Sequence, residues 1–242
     1  MCGRFTLTTD PGVVARRFGA PPTQGGGTTP RYNVAPTQTV VTVTAEGERH
    51  LEQMRWGLVP RWAKSPEIGN RLINARAETL AEKPAFRDAL RRRRALIPAD
   101  GFYEWATLSG PSGQRQPGSQ PKGQRKQPLH VRLRSGEPFA FAGLWEEWAP
   151  PEGGPPLRTC TIVTTAPNAL MATFHHRMPV ILTPEAEGLW LDPQVTDPEL
   201  LLPLLASYPA EAMEAYPVST AVNFVGNDSA QLLLPLDLGL AA

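Results

Sequence analysis

Apolar and polar residues along the chain alternate in short stretches rather than in long helical periods. Thr39–Thr44 (TVVTVT) and Leu51–Trp56 (LEQMRW) read as strands on that alternation. So do Ala95–Pro98, Phe102–Thr107, Leu129–Leu133, Phe139–Leu144, Thr159–Thr165 and Val180–Leu182, with the turn-rich Pro150–Pro156 separating two of them. Asp10-Pro11-Gly12, followed by VVARRF and Gly19, predicts a short helix with proline in its first turn and glycine past its end. Lys83-Pro84 predicts a second helix ending in Arg91–Arg94, and Pro167–His175, Pro184–Leu191 and Pro198–Leu205 predict further short ones. Many short strands with irregularly placed helices predict an α+β fold. Its sheet should be strongly bent and mainly antiparallel, or a partial barrel, with flanking short helices. A clean βαβ alternation, a GxGxxG pattern and a P-loop are all missing, so a nucleotide cofactor has no support.

Composition adjusts this picture only slightly. The 242 residues fit a single domain, expected over 2–236, large enough to bury a sizeable core. The 27 prolines and 21 glycines punctuate short elements rather than form repeats. Pro21–Pro30 (PPTQGGGTTP) reads as a loop, and Ser109–Pro128, rich in Gly, Pro, Gln and cations, as a flexible insertion loop at 109–128. No stretch approaches the ~20 apolar residues of a membrane span, and the first residues lack a signal peptide's apolar run. Two cysteines, Cys2 and Cys160, are too few for a disulfide framework and point to a reducing compartment. A cytoplasmic monomer is expected, nucleoid-associated if bacterial.

Charge is more informative when divided. The formal net charge is +1, from 24 Lys+Arg against 23 Asp+Glu. Residues 1–134 hold 22 of the cations and 10 of the anions, a balance of +12, while residues 135–242 carry −11. The asymmetry fits an anionic partner for the first part, or two parts that attract each other. Of the cations, 20 are arginine, whose fork suits phosphate.

Four segments offer chemistry. Cys2 becomes a 1,2-aminothiol if Met1 is removed, with an amine pKa of roughly 7.7–8.0 beside a thiol pKa of about 8.5. The amine could act as base for its own thiol, or condense with an aldehyde to an imine that the thiol closes into a thiazolidine. A cysteine at this position can also be incidental. In LINARAET, Asn74, Arg76 and Glu78 alternate and would share one face of a strand, either a site or a solvated sheet face. In DGFYEW, Glu104 lies between Tyr103 and Trp105, placed for desolvation and general-acid work or else pointing outward. In FHHRMPVIL, one of His175 and His176 could shuttle protons, or the pair could be surface or packed histidines. His50, His130 and Cys160 offer no metal-ligand spacing, and Cys160 in TCTIV reads as a core cysteine.

Taken in order, MCGRF, RYNVAPTQ, MRWGLVPRWA, NARAET, DGFYEW and HHRMPVIL resemble the SRAP (SOS response-associated peptidase) family of abasic-site processing proteins. The likeness runs from Cys2 to about Leu234. It implies that Cys2 forms a thiazolidine with the ring-opened sugar of an abasic site, that Asn74 holds the sugar or the cysteine backbone, and that Glu104 protonates the sugar ring oxygen. It implies proton transfer by His175, chosen over His176 because the family pattern is His-x-Arg-x-Pro; His176 stands where an acidic residue is common. Arg4, Arg76, Arg87 and Arg177 would contact DNA phosphates, and Pro36 and Trp62 would stack or wedge against bases. Single-stranded DNA containing an abasic site is the expected partner, with no cofactor and no metal. A thiol peptidase using the same site, with removal of Met1 as its narrowest scope, and non-covalent nucleic-acid binding are the competing readings.

Overall fold

The computed structural model describes residues 2–21, 29–107 and 126–237. The chain opens with β1 (Phe5–Leu7) and α1 (Pro11–Phe18). The helix has the bounds its caps predict. Asp10 accepts the amides of Gly12 and Val13, and Gly19 ends it at φ 62°, a left-handed conformation that costs glycine nothing. Then come β2 (Arg31–Val34), the hairpin β3 (Thr39–Glu46) and β4 (Glu48–Trp56), β5 (Asn74–Arg76) and α2 (Arg87–Arg92). The middle of the chain forms β6 (Arg94–Ala99), β7 (Gly101–Thr107), β8 (Lys126–Leu133), β9 (Phe139–Trp148) and β10 (Leu157–Thr165). It ends with α3 (Ala169–Ala172), β11 (Met178–Pro179), β12 (Ile181–Leu182), α4 (Pro184–Leu191), α5 (Pro198–Leu201) and β13 (Met213–Pro217).

The bent sheet closes. β10, β4, β3, β6 and β9 pair in turn, and β9 pairs back onto β10, making a five-stranded barrel. Every pairing in that ring is antiparallel except β4 with β10. After Cys160, β10 takes β5 as a parallel neighbour in place of β4. A second, antiparallel sheet runs β13-β8-β7-β1-β2. Phe5 and Phe102 from this sheet meet Trp56 and Phe141 of the barrel at centroid distances of 5.3–5.9 Å, so an aromatic core joins the two. β6 is buried at every position, because both of its faces are covered.

Three predicted elements differ in detail. The helix expected from Lys83 begins only at Arg87, because residues 84–86 form a turn on the Lys83 carbonyl and Phe86, at φ −127°, sits outside helical conformation. Arg94 leaves that helix and opens β6. Its buried guanidinium donates to the carbonyls of Leu90, Arg91, Trp190 and Asp192. The helix expected over Pro167–His175 covers four residues, after which the chain turns to deliver His175. Most of the expected insertion loop lies outside the described residues, but 126–128 belong to β8. The Pro21–Pro30 stretch falls largely outside them as well. Among the described residues no helix is long and apolar enough to cross a membrane.

One buried histidine carries a pH consequence. His130 on β8 lies between Tyr103 and Tyr216 at 5.1 and 5.4 Å, opposite Gly101, where any β-carbon would strike its ring. Burial pushes its pKa down to about 4 from an ordinary 6.5, with Asp100 opposing and Arg132 assisting the shift. The unfolded chain therefore binds a proton below pH ~6.5 that the fold refuses, and stability falls as pH drops toward 4. Denaturant unfolding at pH 7 and pH 5 should show this histidine costing about 2 kcal/mol at the lower pH. A His130→Gln variant should lose that component, and equal pH dependence in both proteins would contradict it.

Candidate functional site

Cys2 precedes β1 and is fully buried, in an apolar cluster that includes Phe5, Trp56, Cys160, Ile162 and Met178. Its carbonyl accepts the Asn74 side-chain amide at 2.9 Å. Asn74 is set in turn by the parallel pairing of β5 with Ile162–Thr164 of β10. Among the described residues its buried Oδ1 has no hydrogen-bond partner, so the amide holds the cysteine backbone with one end and keeps an acceptor at the other.

Glu104 projects from β7 and is 2% exposed, which rejects the outward orientation. Its Oε2 lies 3.8 Å from His175 Nε2. Burial pushes the Cys2 thiol well above its usual range, and the charge of Glu104 adds to the effect. The thiol donates weakly to the Arg4 carbonyl at 3.9 Å.

His175 is anchored through its Nδ1, which sits 2.8 Å from the Arg177 carbonyl and 3.0 Å from the Arg177 amide. A single Nδ1 cannot serve both contacts at once, but the Arg177 backbone supplies an acceptor for a protonated Nδ1 and a donor for a bare one. The ring can thus hold its proton on either nitrogen without losing its anchor, which suits a group that moves protons at Nε2. His176 stacks on His175 at 4.6 Å and is exposed.

Two clefts open on this centre. One, of about 500 Å3, is lined by Asn74 with Trp62, Arg76, Lys83 and Phe86. The other, of about 710 Å3, is lined by His175 with His176, Trp105, Lys126 and Phe174.

The expected phosphate contacts divide. Arg76 is exposed at the end of β5, and Arg87 is exposed at the start of α2, 3.9 Å from Asp88 but outside both cleft linings. Arg4 turns inward instead. Nη1 donates to Asn33 Oδ1 and the Val222 carbonyl at 2.8 and 2.7 Å, so the guanidinium braces the chain's end over β2. Arg177 is also committed, forking onto Glu78 and donating to the Thr164 carbonyl. Pro36 is half-buried in the turn between β2 and β3, whereas Trp62 is 61% exposed.

The alternating face predicted for Asn74, Arg76 and Glu78 ends at Arg76. A 3-10 turn over Ala77–Thr79 swings Glu78 to Arg177. Lys83, Trp105 and Lys126 were not singled out in the sequence as site residues, and no local pattern marks the two lysines. Cys160 is fully buried, as its setting predicted.

Residues 1–225 match the family described as SOS response associated peptidase (SRAP). The chain belongs to that family. It is 48% identical to the abasic site processing protein YoqW of Bacillus subtilis, covering 96% of this chain and 99% of that one. It is 32% identical to the abasic site processing protein YedK of Escherichia coli, over 85% of each. A crystal structure from Bacteroides thetaiotaomicron superposes with a TM-score of 0.77 at 28% identity, covering 90% of this chain and 93% of that one.

The charge on Glu104 gives this SRAP site a measurable signature. In Glu104→Gln, ultraviolet titration of the thiolate should show ionisation beginning at lower pH than in the unsubstituted protein. Cys160, raised by burial alone, is common to both proteins and cancels in the difference. Identical curves would mean the carboxylate does not reach the sulfur.

Proposed function

We propose that this protein captures abasic sites in single-stranded DNA through a covalent bond to Cys2, shielding the lesion rather than cutting the strand. The observation that carries the reading is the Asn74 amide on the Cys2 carbonyl, which fixes this residue beside the Glu104–His175 pair. The names of the relatives, abasic site processing proteins, support the substrate class.

The chemistry follows from the residues. An abasic deoxyribose is mostly a closed hemiacetal; Glu104, once protonated, gives its proton to the ring oxygen while the anomeric hydroxyl loses its own to solvent, which frees the C1 aldehyde. With Met1 removed, the Cys2 amine adds to that carbon and water leaves, giving an imine. The thiol then adds across the C=N bond, sulfur to carbon and its proton to nitrogen, closing a thiazolidine. A thiol held protonated suits this order, because the amine attacks first and the sulfur arrives with the proton that the nitrogen needs. His175 carries protons between these steps, and Asn74 keeps the cysteine backbone still. Lyase activity is the expected side reaction when ring closure fails, since an open imine permits β-elimination.

Arg76 and Trp62 receive the strand, with Arg87 and Pro36 at its edges. Arg4 and Arg177 frame the site and present what remains of their charge to phosphate. A peptidase using the same residues is less well supported, since a thiol nucleophile for peptide bonds must ionise and burial opposes that.

Denaturing electrophoresis and intact-protein mass spectrometry with abasic single-stranded DNA test the mechanism. A denaturation-resistant adduct should form, with loss of one water and of Met1, and undamaged DNA should give none. Cys2→Ala should abolish the adduct. Cys2→Ser should retain borohydride-trappable imine and strand cleavage without the stable product. An adduct surviving in Cys2→Ala would rule out thiazolidine formation.

A further inference from the structure

Trp62 is held outward by its surroundings. The Ala63 amide bonds to the Pro60 carbonyl at 2.9 Å, closing a turn, and Ala63 itself is buried, with its carbonyl accepting the Trp148 indole at 2.7 Å. On the other side, Arg61 donates to the buried Glu146 at 3.1 Å. The backbone is therefore anchored on both flanks. An apolar cluster of Val59, Ala63 and Trp148 packs in the same region, yet the indole remains 61% exposed. Burying an apolar side chain of this size is favourable, and the fold forgoes most of that gain here.

Two clefts share the indole. The first is the cleft that reaches Asn74. The second, of about 320 Å3, is lined by Trp62, Lys64, Ser65, Glu67, Ile68 and Arg71. Its apolar residues, Ala63 and Ile68, belong to the cluster with Trp148, and the exposed Lys64 and Arg71 supply cations. Ser65 Oγ caps the short 3-10 helix Pro66–Arg71, so the wall carrying Arg71 is ordered.

We propose that this second cleft is a distal subsite for single-stranded DNA, holding a nucleotide on the far side of Trp62 from the lesion. The proposal rests on the capture reading above and extends it. A flat aromatic face combined with cations suits a ligand that alternates a base with a phosphate. A base inside a duplex is already stacked on both faces, so an exposed indole takes an unpaired one. The two clefts share Trp62, and Leu72 of the first follows Arg71 of the second. A strand threaded past Asn74 reaches the second cleft as its own continuation, so no separate partner is needed.

The test separates affinity from capture. Oligonucleotides carrying a tetrahydrofuran abasic analogue, which has no aldehyde and cannot crosslink, are trimmed one nucleotide at a time from either arm. Affinity is then read by fluorescence anisotropy. Trimming one arm should weaken binding in two separate steps, and Lys64→Gln with Arg71→Gln should remove the outer step alone. Loss of two single-strand phosphate contacts should also lower the log–log salt slope by about 1.4. Both side chains are exposed, so the fold should tolerate their replacement. The same trimming profile and salt slope in the double variant would overturn the distal subsite. Crosslinking of true abasic DNA is scored separately, so its absence would overturn the capture reading and leave the affinity result to stand on its own.

Discussion

A residue next to a chain terminus is ordinarily the least ordered part of a protein, and here it must be among the most ordered. The hydrogen bond from Asn74 to the Cys2 carbonyl supplies that order, and much of the architecture is arranged to deliver it. β10 closes the barrel by pairing with β9, and beyond Cys160 it lends its other edge to β5. The short strand is thereby fixed by the barrel's closing strand, and Asn74 with it. The N-terminal strand is held equally firmly from its other side. Phe5 pairs with Phe102 and Val34, and Arg4 reaches back to Asn33 and to the carbonyls near the chain's end. Two sheets and the closing segment thus converge on one residue.

That confinement determines the chemistry available. Complete burial and the nearby Glu104 keep the thiol protonated, which weakens it as a first nucleophile. On the capture reading, the α-amine freed by removal of Met1 has no such handicap at neutral pH, and amine attack would precede thiol closure. His175 complements this order, because the Arg177 backbone can anchor its ring in either tautomer. That backbone belongs to the arginine that forks onto Glu78. The brace of the arginine and the position of the histidine are therefore one local structure.

Much of this was legible along the chain. The α1 caps, the strands at Thr39, Phe139 and Thr159, and the segments bearing Cys2, Asn74, Glu104 and His175 could be read from alternation and residue type, and the family likeness named their roles. Barrel closure could not be read, because the β9–β10 and β4–β10 pairings depend on twist and distant register rather than on local pattern. The fate of the arginines was equally hidden. Within RRRR at 91–94, two residues are exposed, Arg93 pairs with the buried Glu146, and Arg94 is buried among carbonyls. Nothing in four identical neighbours distinguishes them until α2 gives way to β6.

Ion pairs between the two parts of the chain bear out mutual attraction as one source of the charge asymmetry. Arg17 pairs with Glu187, Arg31 with Asp228, Arg61 and Arg93 with Glu146, and Arg132 with Glu214, so cations of the basic part meet anions of the acidic part. A basic segment that neutralises itself this way does not present a continuous field to every polyanion. Cations also line the clefts around Trp62: Arg76 and Lys83 on one side, Lys64 and Arg71 on the other. Glu78 continues the same logic at the centre. By occupying the fork of Arg177 it holds a carboxylate where a phosphate would otherwise be drawn, and a strand must compete with it to engage that arginine. Under the proposed capture, weak, local attraction of this kind would leave retention on DNA to the covalent step, which only an aldehyde can trigger.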